Sequence, residues 1–127
     1  MRDFVITLSH RPGELADVTN ALSLQGVNIR SLTAIQMDNR ALVRIIPDDV
    51  ESARNAFRSA SVRFEEKELV TILLENRAGE LTSVLGKLAE AGLNLDAIYI
   101  VGFADDLLEV AIAADDVKKA KKVLEVE

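Results

Sequence analysis

The chain of 127 residues contains no cysteine. That removes a disulfide framework and thiolate chemistry together. It contains a single histidine, His10. A lone His without a second His or Cys makes a poor metal site, so no metal and no cofactor are expected. As a general base His10 would need a nucleophile and an orienting partner, and neighbouring Ser9 does not complete such a set. Basic charge is short, with 15 Lys and Arg against 21 Asp and Glu and a net charge of −6. Nucleic acid and anionic membrane both require a basic surface, and neither is an expected partner. Long apolar runs are missing too. The longest, from Ala97 to Ala104, falls far short of the roughly 20 residues of a membrane span. The first residues, Met1 to Ile6, alternate like a strand and lack the apolar block of a signal peptide. A cytoplasmic location is therefore expected.

What the chain does have is a repeat. Arg11-Pro12-Gly13-Glu14-Leu15 returns as Arg77-Ala78-Gly79-Glu80-Leu81, and the register then holds. Val18 falls on Val84, Leu22 on Leu88, Gly26 on Gly92 and Asn28 on Asn94. After one extra residue in the second copy, Val43, Ile45, Asp48, Asp49, Val50 and Ala53 meet Val110, Ile112, Asp115, Asp116, Val117 and Ala120. A period this long means two copies of one folding unit. The division places one unit at residues 1–67 and the other at residues 68–127. A unit of about 60 residues buries only about 60% of its unfolded surface, so a shared interface or a homodimer is expected. Between Phe64 and Glu75 there is neither Gly nor Pro, and the copies follow one another without a linker.

Periodicity supplies the elements. Phe4, Ile6 and Leu8 alternate with Val5, Thr7 and Ser9 as a strand. Pro12-Gly13 breaks it, Leu15, Val18 and Leu22 recur at helical spacing, and Gly26 is a left-handed stop. Val27 to Met37 reads as a second strand, with a turn at Asp38-Asn39 and a third strand from Ala41 to Ile46. Pro47-Asp48-Asp49 opens a second helix, and Ser61 to Glu66 alternates as a fourth strand. The second copy repeats this order but stops before a fourth strand. The expected fold is α+β: two ferredoxin-like βαββαβ units side by side, each an antiparallel sheet with helices on one face. With strand order 4-1-3-2, the missing strand leaves the one from Leu69 to Glu75 at an open edge. Leu73 and Ile98 are expected to face away from the helices.

The two glycine turns, each followed by Gly26-Val27-Asn28-Ile29 or Gly92-Leu93-Asn94-Leu95, resemble those of ACT domains. These are small regulatory modules typically attached to enzymes of amino-acid metabolism. The resemblance spans nearly the whole chain and implies a free-standing tandem ACT protein, with no catalytic domain and no enzymatic activity of its own. It implies an amino-acid ligand and, as a possible partner, an amino-acid-metabolism enzyme. In such domains the Asn at the position of Asn28 and Asn94 commonly contacts the ligand, and the loop position of His10 and Asn76 contributes. Some relatives carry a polar residue two positions earlier, where this chain has Leu8 and Leu74.

The residues allow both readings of these features. A helix N-terminus exposes unpaired N–H groups and favours an anion, yet a Gly between strand and helix often serves only as a turn. Asn is depleted in strands, yet one after a helix-ending Gly often satisfies local backbone. Arg11 and Arg77 can hold a carboxylate bidentately or simply face solvent. Geometry adds that a strand of about seven residues spans roughly 23 Å, so Asn28 cannot reach its own loop. The expected sites therefore combine His10, Arg11, Pro12 and Gly13 with Asn94, and Asn76, Arg77, Ala78 and Gly79 with Asn28. They would form through second strands paired into one continuous sheet, either within the chain or between two chains. Two other classes stay open: an assembly module whose loops hold no ligand, and an acylphosphatase-like enzyme using Arg11 and Asn28. The loop is short for the phosphate cradle such an enzyme needs.

Overall fold

The computed structural model describes residues 1–127. The chain divides into two compact units, Arg2–Lys67, and Glu68–Glu127 together with Met1. The first unit runs β1 (Arg2–Ser9), α1 (Glu14–Leu24), β2 (Ile29–Met37), β3 (Arg40–Pro47), α2 (Val50–Ser59) and β4 (Glu65–Glu68). The second runs β5 (Val70–Glu75), α3 (Glu80–Glu90), β6 (Leu95–Ala104), β7 (Leu107–Ala114) and α4 (Val117–Val123).

The first sheet has the order β2-β3-β1-β4 and the second the order β5-β7-β6. Both match the ferredoxin-like pattern, and β5 is indeed an edge. The two sheets are separate, however. β2 and β6 are the outer strands of different sheets and are not hydrogen-bonded to each other. The continuous sheet expected within the chain is therefore absent. The chain passes from one sheet to the other at Leu69, which joins β4 to β5. Those strands lie at the edges away from β2 and β6.

Register explains which residues are buried. In the first unit Phe4 sits opposite Ile45 and Ile6 opposite Val43, so one face of the sheet is a row of large apolar side chains. Val18, Ala21 and Leu22 of α1 and Ala53, Ala56 and Phe57 of α2 pack on it. Phe4, Phe57 and Phe64 close the cluster, with ring centroids 5.4, 5.1 and 5.8 Å apart. The second core uses Val70, Leu74, Val84, Leu88, Val110, Ile112 and Ala120, with no aromatic residue. On the opposite face of the first sheet Arg44 Nε donates to Asp3 Oδ2 at 2.8 Å, and both side chains are buried.

Four helix ends share one device. In each, the residue after the helix cap takes a positive φ: Gly26 at 68°, Ser61 at 58°, Gly92 at 75° and Glu125 at 57°. The following N–H then returns to a carbonyl five residues back, as in Val27 to Leu22 (3.0 Å) and Val62 to Phe57 (2.9 Å). This is the Schellman arrangement. It sets where the following strands begin. β2 starts at Ile29 and β6 at Leu95, because Val27 and Leu93 are tied back to the helices. The fourth strand begins at Glu65 rather than Ser61, while Val62 and Phe64 still pack against the core. Leu73 does face away from the helices and is 61% exposed. Ile98 does not. It lies opposite Ile112, a core residue, and so belongs to the helix side of an uncovered edge strand.

Glu66 of β4 accepts from Arg54 of α2, Nη2 to Oε1 at 2.6 Å and Nε to Oε2 at 3.2 Å, and pairs with Arg2 at 3.4 Å. The Arg54 hydrogen bonds hold its carboxyl below the ordinary glutamate value. A depressed carboxylate contributes stability above its unfolded pKa and loses it as pH falls through the folded value. Glu66→Gln is therefore expected to lower the urea midpoint at pH 7 and to flatten its decline between about pH 5 and 3. Equilibrium unfolding at a series of pH values reads this directly. Arg44→Ala leaves Asp3 as a buried charge without this partner and is expected to cost about 3–5 kcal/mol, measured the same way.

Candidate functional site

The loop after the first strand is built alike in both units. The backbone N–H of His10 donates to the carbonyl of Asn39 at 3.0 Å, and that of Asn76 to Asp106 at 2.7 Å. Each loop is thereby moored to the tip of its own hairpin. Gly13 and Gly79 then precede the helices with φ of 89° and 91°, a left-handed conformation that glycine adopts without a Cβ penalty. No side chain caps α1 or α3. The other two helices differ. Asp49 accepts from the N–H of Ser52 at 3.1 Å, and Asp116 from the N–H of Lys119 at 3.0 Å. The Ser52 backbone bond, then its hydroxyl bond, hold the Asp49 carboxyl below its ordinary value. So both α1 and α3 present N-termini without a side-chain acceptor, whereas α2 and α4 do not.

The two loop arginines are engaged locally. Arg11 Nε donates to Glu14 Oε2 at 3.2 Å. Arg77 Nη2 donates to Glu80 Oε1 at 2.7 Å and also pairs with Glu75. The Glu80 hydrogen bond, followed by the charge of Glu75, raises the Arg77 pKa above its ordinary value. Neither guanidinium stands clear as a bidentate clamp. Glu14 and Glu80 recur in the repeat three residues after the arginines, in the first helical turn where acids suit the dipole, and the structure adds that both pairs form.

Within the first unit the expected residues fall into two groups. His10 and Arg11 line a hollow of about 280 Å³ with Leu8, Glu14, Leu15 and Ile35; Pro12 and Gly13 shape the turn beside it. Asn28 lies elsewhere, in a hollow of about 660 Å³ with Thr19, Asn20, Ser23 and Gly26. The register shows why. Ser9 is opposite Arg40, and Arg40 is opposite Met37. Ile29, next to Asn28, is opposite Pro47. Seven strand residues separate those levels of β3, or roughly 23 Å. One unit therefore does not unite its loop with its own Asn.

Both asparagines sit in a clasp. The N–H of Asn28 donates to Asp48 Oδ1 at 3.1 Å, and the N–H of Asp48 returns to the Asn28 carbonyl at 3.0 Å. Asn94 and Asp115 repeat this at 3.2 and 3.0 Å. In the second unit the side chain joins in, Asn94 Nδ2 donating to Asp115 Oδ2 at 3.4 Å. The strand register shifts just beyond each clasp, between Ile29 and Ser31 and between Leu95 and Ala97. Such bulges re-aim side chains and are frequent beside functional sites. Asp48 and Asp115 recur in the repeat, where the pattern marks only the approach to a helix; the structure turns both carboxylates to the asparagine N–H instead. No group of three His, Cys, Asp or Glu side chains is placed to hold a metal ion, and no helix is long and apolar enough to cross a membrane.

Comparison with known proteins places this geometry in a class of folds. No protein-family model and no curated protein matches the sequence. Solved structures do match. Protein BT0572 from Bacteroides thetaiotaomicron superposes with a TM-score of 0.87 at 24% identity, over 98% of this chain and 85% of that one. The regulatory subunit of aspartate kinase from Thermus thermophilus, in a ligand-free form, gives 0.66 at 15% identity, over 98% and 89%. Aspartokinase alpha and beta subunits give 0.60 at 18%, over 98% and 88%. The class is the ferredoxin-like α+β fold. Within it, the chain has the architecture of ACT-domain proteins, in two successive units.

Gly13→Ala and Gly79→Ala test the turn itself. A methyl group at either position would meet no atom within 4 Å, so any cost is conformational. Each substitution is expected to lower stability by about 1–2 kcal/mol, read from urea unfolding.

Proposed function

We propose that the chain is a regulatory module that binds an amino acid where the glycine turn of one ACT unit meets the asparagine of another. The observation that carries this reading is the repeated pair of uncapped helix N-termini after Gly13 and Gly79. Exposed N–H groups and the helix dipole favour a carboxylate there. The fold shared with the aspartate kinase regulatory subunit supports the reading. One site would comprise His10, Arg11, Pro12, Gly13 and Asn94, the other Asn76, Arg77, Ala78, Gly79 and Asn28. Arg11 and Arg77 then shape the loops through their glutamate pairs rather than gripping the ligand.

The units that meet belong, in this proposal, to two copies of the chain in a cytoplasmic homodimer. β2 and β6 each have one unpaired side, and open strand edges invite pairing. They also carry exposed apolar side chains, Ile35 and Met37 on β2, Ile100 and Phe103 on β6. The module has no chemistry of its own. Its effect on an enzyme of amino-acid metabolism would arise from binding two states of the assembly with different affinity.

Calorimetric titration with each of the twenty amino acids is expected to show saturable binding for at least one, and twenty silent titrations would refute the reading. Ile35→Lys combined with Ile100→Lys places charge on both open edges. It is expected to leave each unit folded by circular dichroism, to convert dimer to monomer in analytical ultracentrifugation, and to abolish the titration heat. Retained binding by a monomer would refute the two-chain site.

A further inference from the structure

We infer that Asp115 is a positioning residue that holds the Asn94 side-chain amide with its carbonyl oxygen outward, so that a ligand meeting Asn94 is selected for a cationic nitrogen. This rests on the reading of Asn94 as part of a ligand site.

An asparagine amide has two unlike ends, a carbonyl oxygen that accepts and an NH2 that donates. Alone, it serves a carboxylate or an ammonium by rotating. Asp115 removes that choice. Its ionised carboxylate only accepts, and Oδ1 is already taken by the Asn94 backbone N–H at 3.2 Å. Oδ2 then lies 3.4 Å from Asn94 Nδ2, which holds the donor end inward. The acceptor end is left for the ligand. An acceptor suits an ammonium and repels a carboxylate, whose place is the uncapped helix N-terminus of the facing loop. The carboxylate and ammonium of one amino acid thereby receive separate, opposite partners.

The first unit has the backbone half of the clasp only. Asp48 holds the Asn28 N–H at 3.1 Å and donates to its carbonyl at 3.0 Å, while the Asn28 amide is not tied to it. Asn28 keeps both orientations. The two sites are thus unequal in spite of the repeat, and discrimination belongs to the Asn94 site.

The test titrates the full chain with L-alanine, L-serine, L-valine, L-lysine and L-phenylalanine. Beside each goes the same acid with hydrogen in place of the α-amino group: propanoate, 3-hydroxypropanoate, 3-methylbutanoate, 6-aminohexanoate and 3-phenylpropanoate. The unmodified chain is expected to prefer at least one amino acid over its partner acid by about tenfold or more. In Asp115→Asn the new amide presents a donor, the Asn94 amide turns over, and that preference should collapse to within about threefold. Asn94→Ala separates the two claims. If it binds with the unmodified chain's stoichiometry and preference, the reading of Asn94 as a ligand residue fails and this inference with it; silence from all ten compounds overturns this inference alone, since the ligand reading is decided by the full set of twenty. If Asn94→Ala loses one of the two equivalents of bound amino acid while Asp115→Asn keeps the full preference, only the positioning role is overturned. Should Asp115→Asn fail to fold, a structure of the unmodified chain with the bound amino acid decides. An ammonium nitrogen about 3 Å from Asn94 Oδ1 supports the inference, and a carboxylate oxygen at that distance from Nδ2 overturns it.

Discussion

Each unit is organised by the paired hydrogen bonds between an asparagine at the start of the second strand and an aspartate at the start of the second helix, Asn28 with Asp48 and Asn94 with Asp115. These residues are 20 and 21 positions apart, at opposite ends of a β-hairpin. The clasp closes that hairpin at its open end. It fixes where β2 enters the sheet relative to β3, and hence which face every later side chain takes. A one-residue slip would turn the whole strand over. The same contact also fixes the end of the unit at which an asparagine side chain is available. Fold and candidate site thus depend on one local arrangement, made twice.

The division of labour among helix ends follows from it. α2 and α4 begin immediately after the clasp, and their N-termini are satisfied by Asp49 and Asp116. α1 and α3 begin after a glycine in the left-handed region and receive no side-chain acceptor. Had the uncapped ends been a shortcoming of the sequence, one of the two copies would be expected to carry a Ser, Thr or Asp at the cap, where these residues are strongly favoured. Both carry glycine. The energy of a side-chain cap is forgone twice in equivalent positions, and the proposed carboxylate site rests on that observation.

Much of this was legible in the residues. The repeat gave the number of units, and the alternation of Phe4, Ile6 and Leu8 gave a buried face. Those signals are local, with period 2 or 3.6, and short-range physics suffices for them. What escaped has longer reach. Ile98 was placed on the wrong face because its orientation depends on pairing with Ile112 across the sheet, and a bulge near Ala97 shifts that register. Residues 61–64 read as strand because Val62 and Phe64 do alternate inward; nothing in that pattern reveals the left-handed Ser61. Within the chain the sheets stay separate, because β2 and β6 are end strands of different sheets.

The arginines show how a repeated motif leaves two roles open until its local partners are known. Arg11 and Arg77 recur at equivalent places, as recognition residues do. Yet each has a glutamate three residues on, Glu14 or Glu80, and both pairs form. A guanidinium committed to a carboxylate in its own loop is a poor receiver of a second one, since the incoming anion must compete with a tethered partner of high effective concentration. It is well suited to bracing a tight turn, because its planar fork holds geometry as well as charge. In the proposed site, recognition is therefore assigned to backbone N–H groups at the helix starts and to the Asn94 oxygen rather than to the arginines.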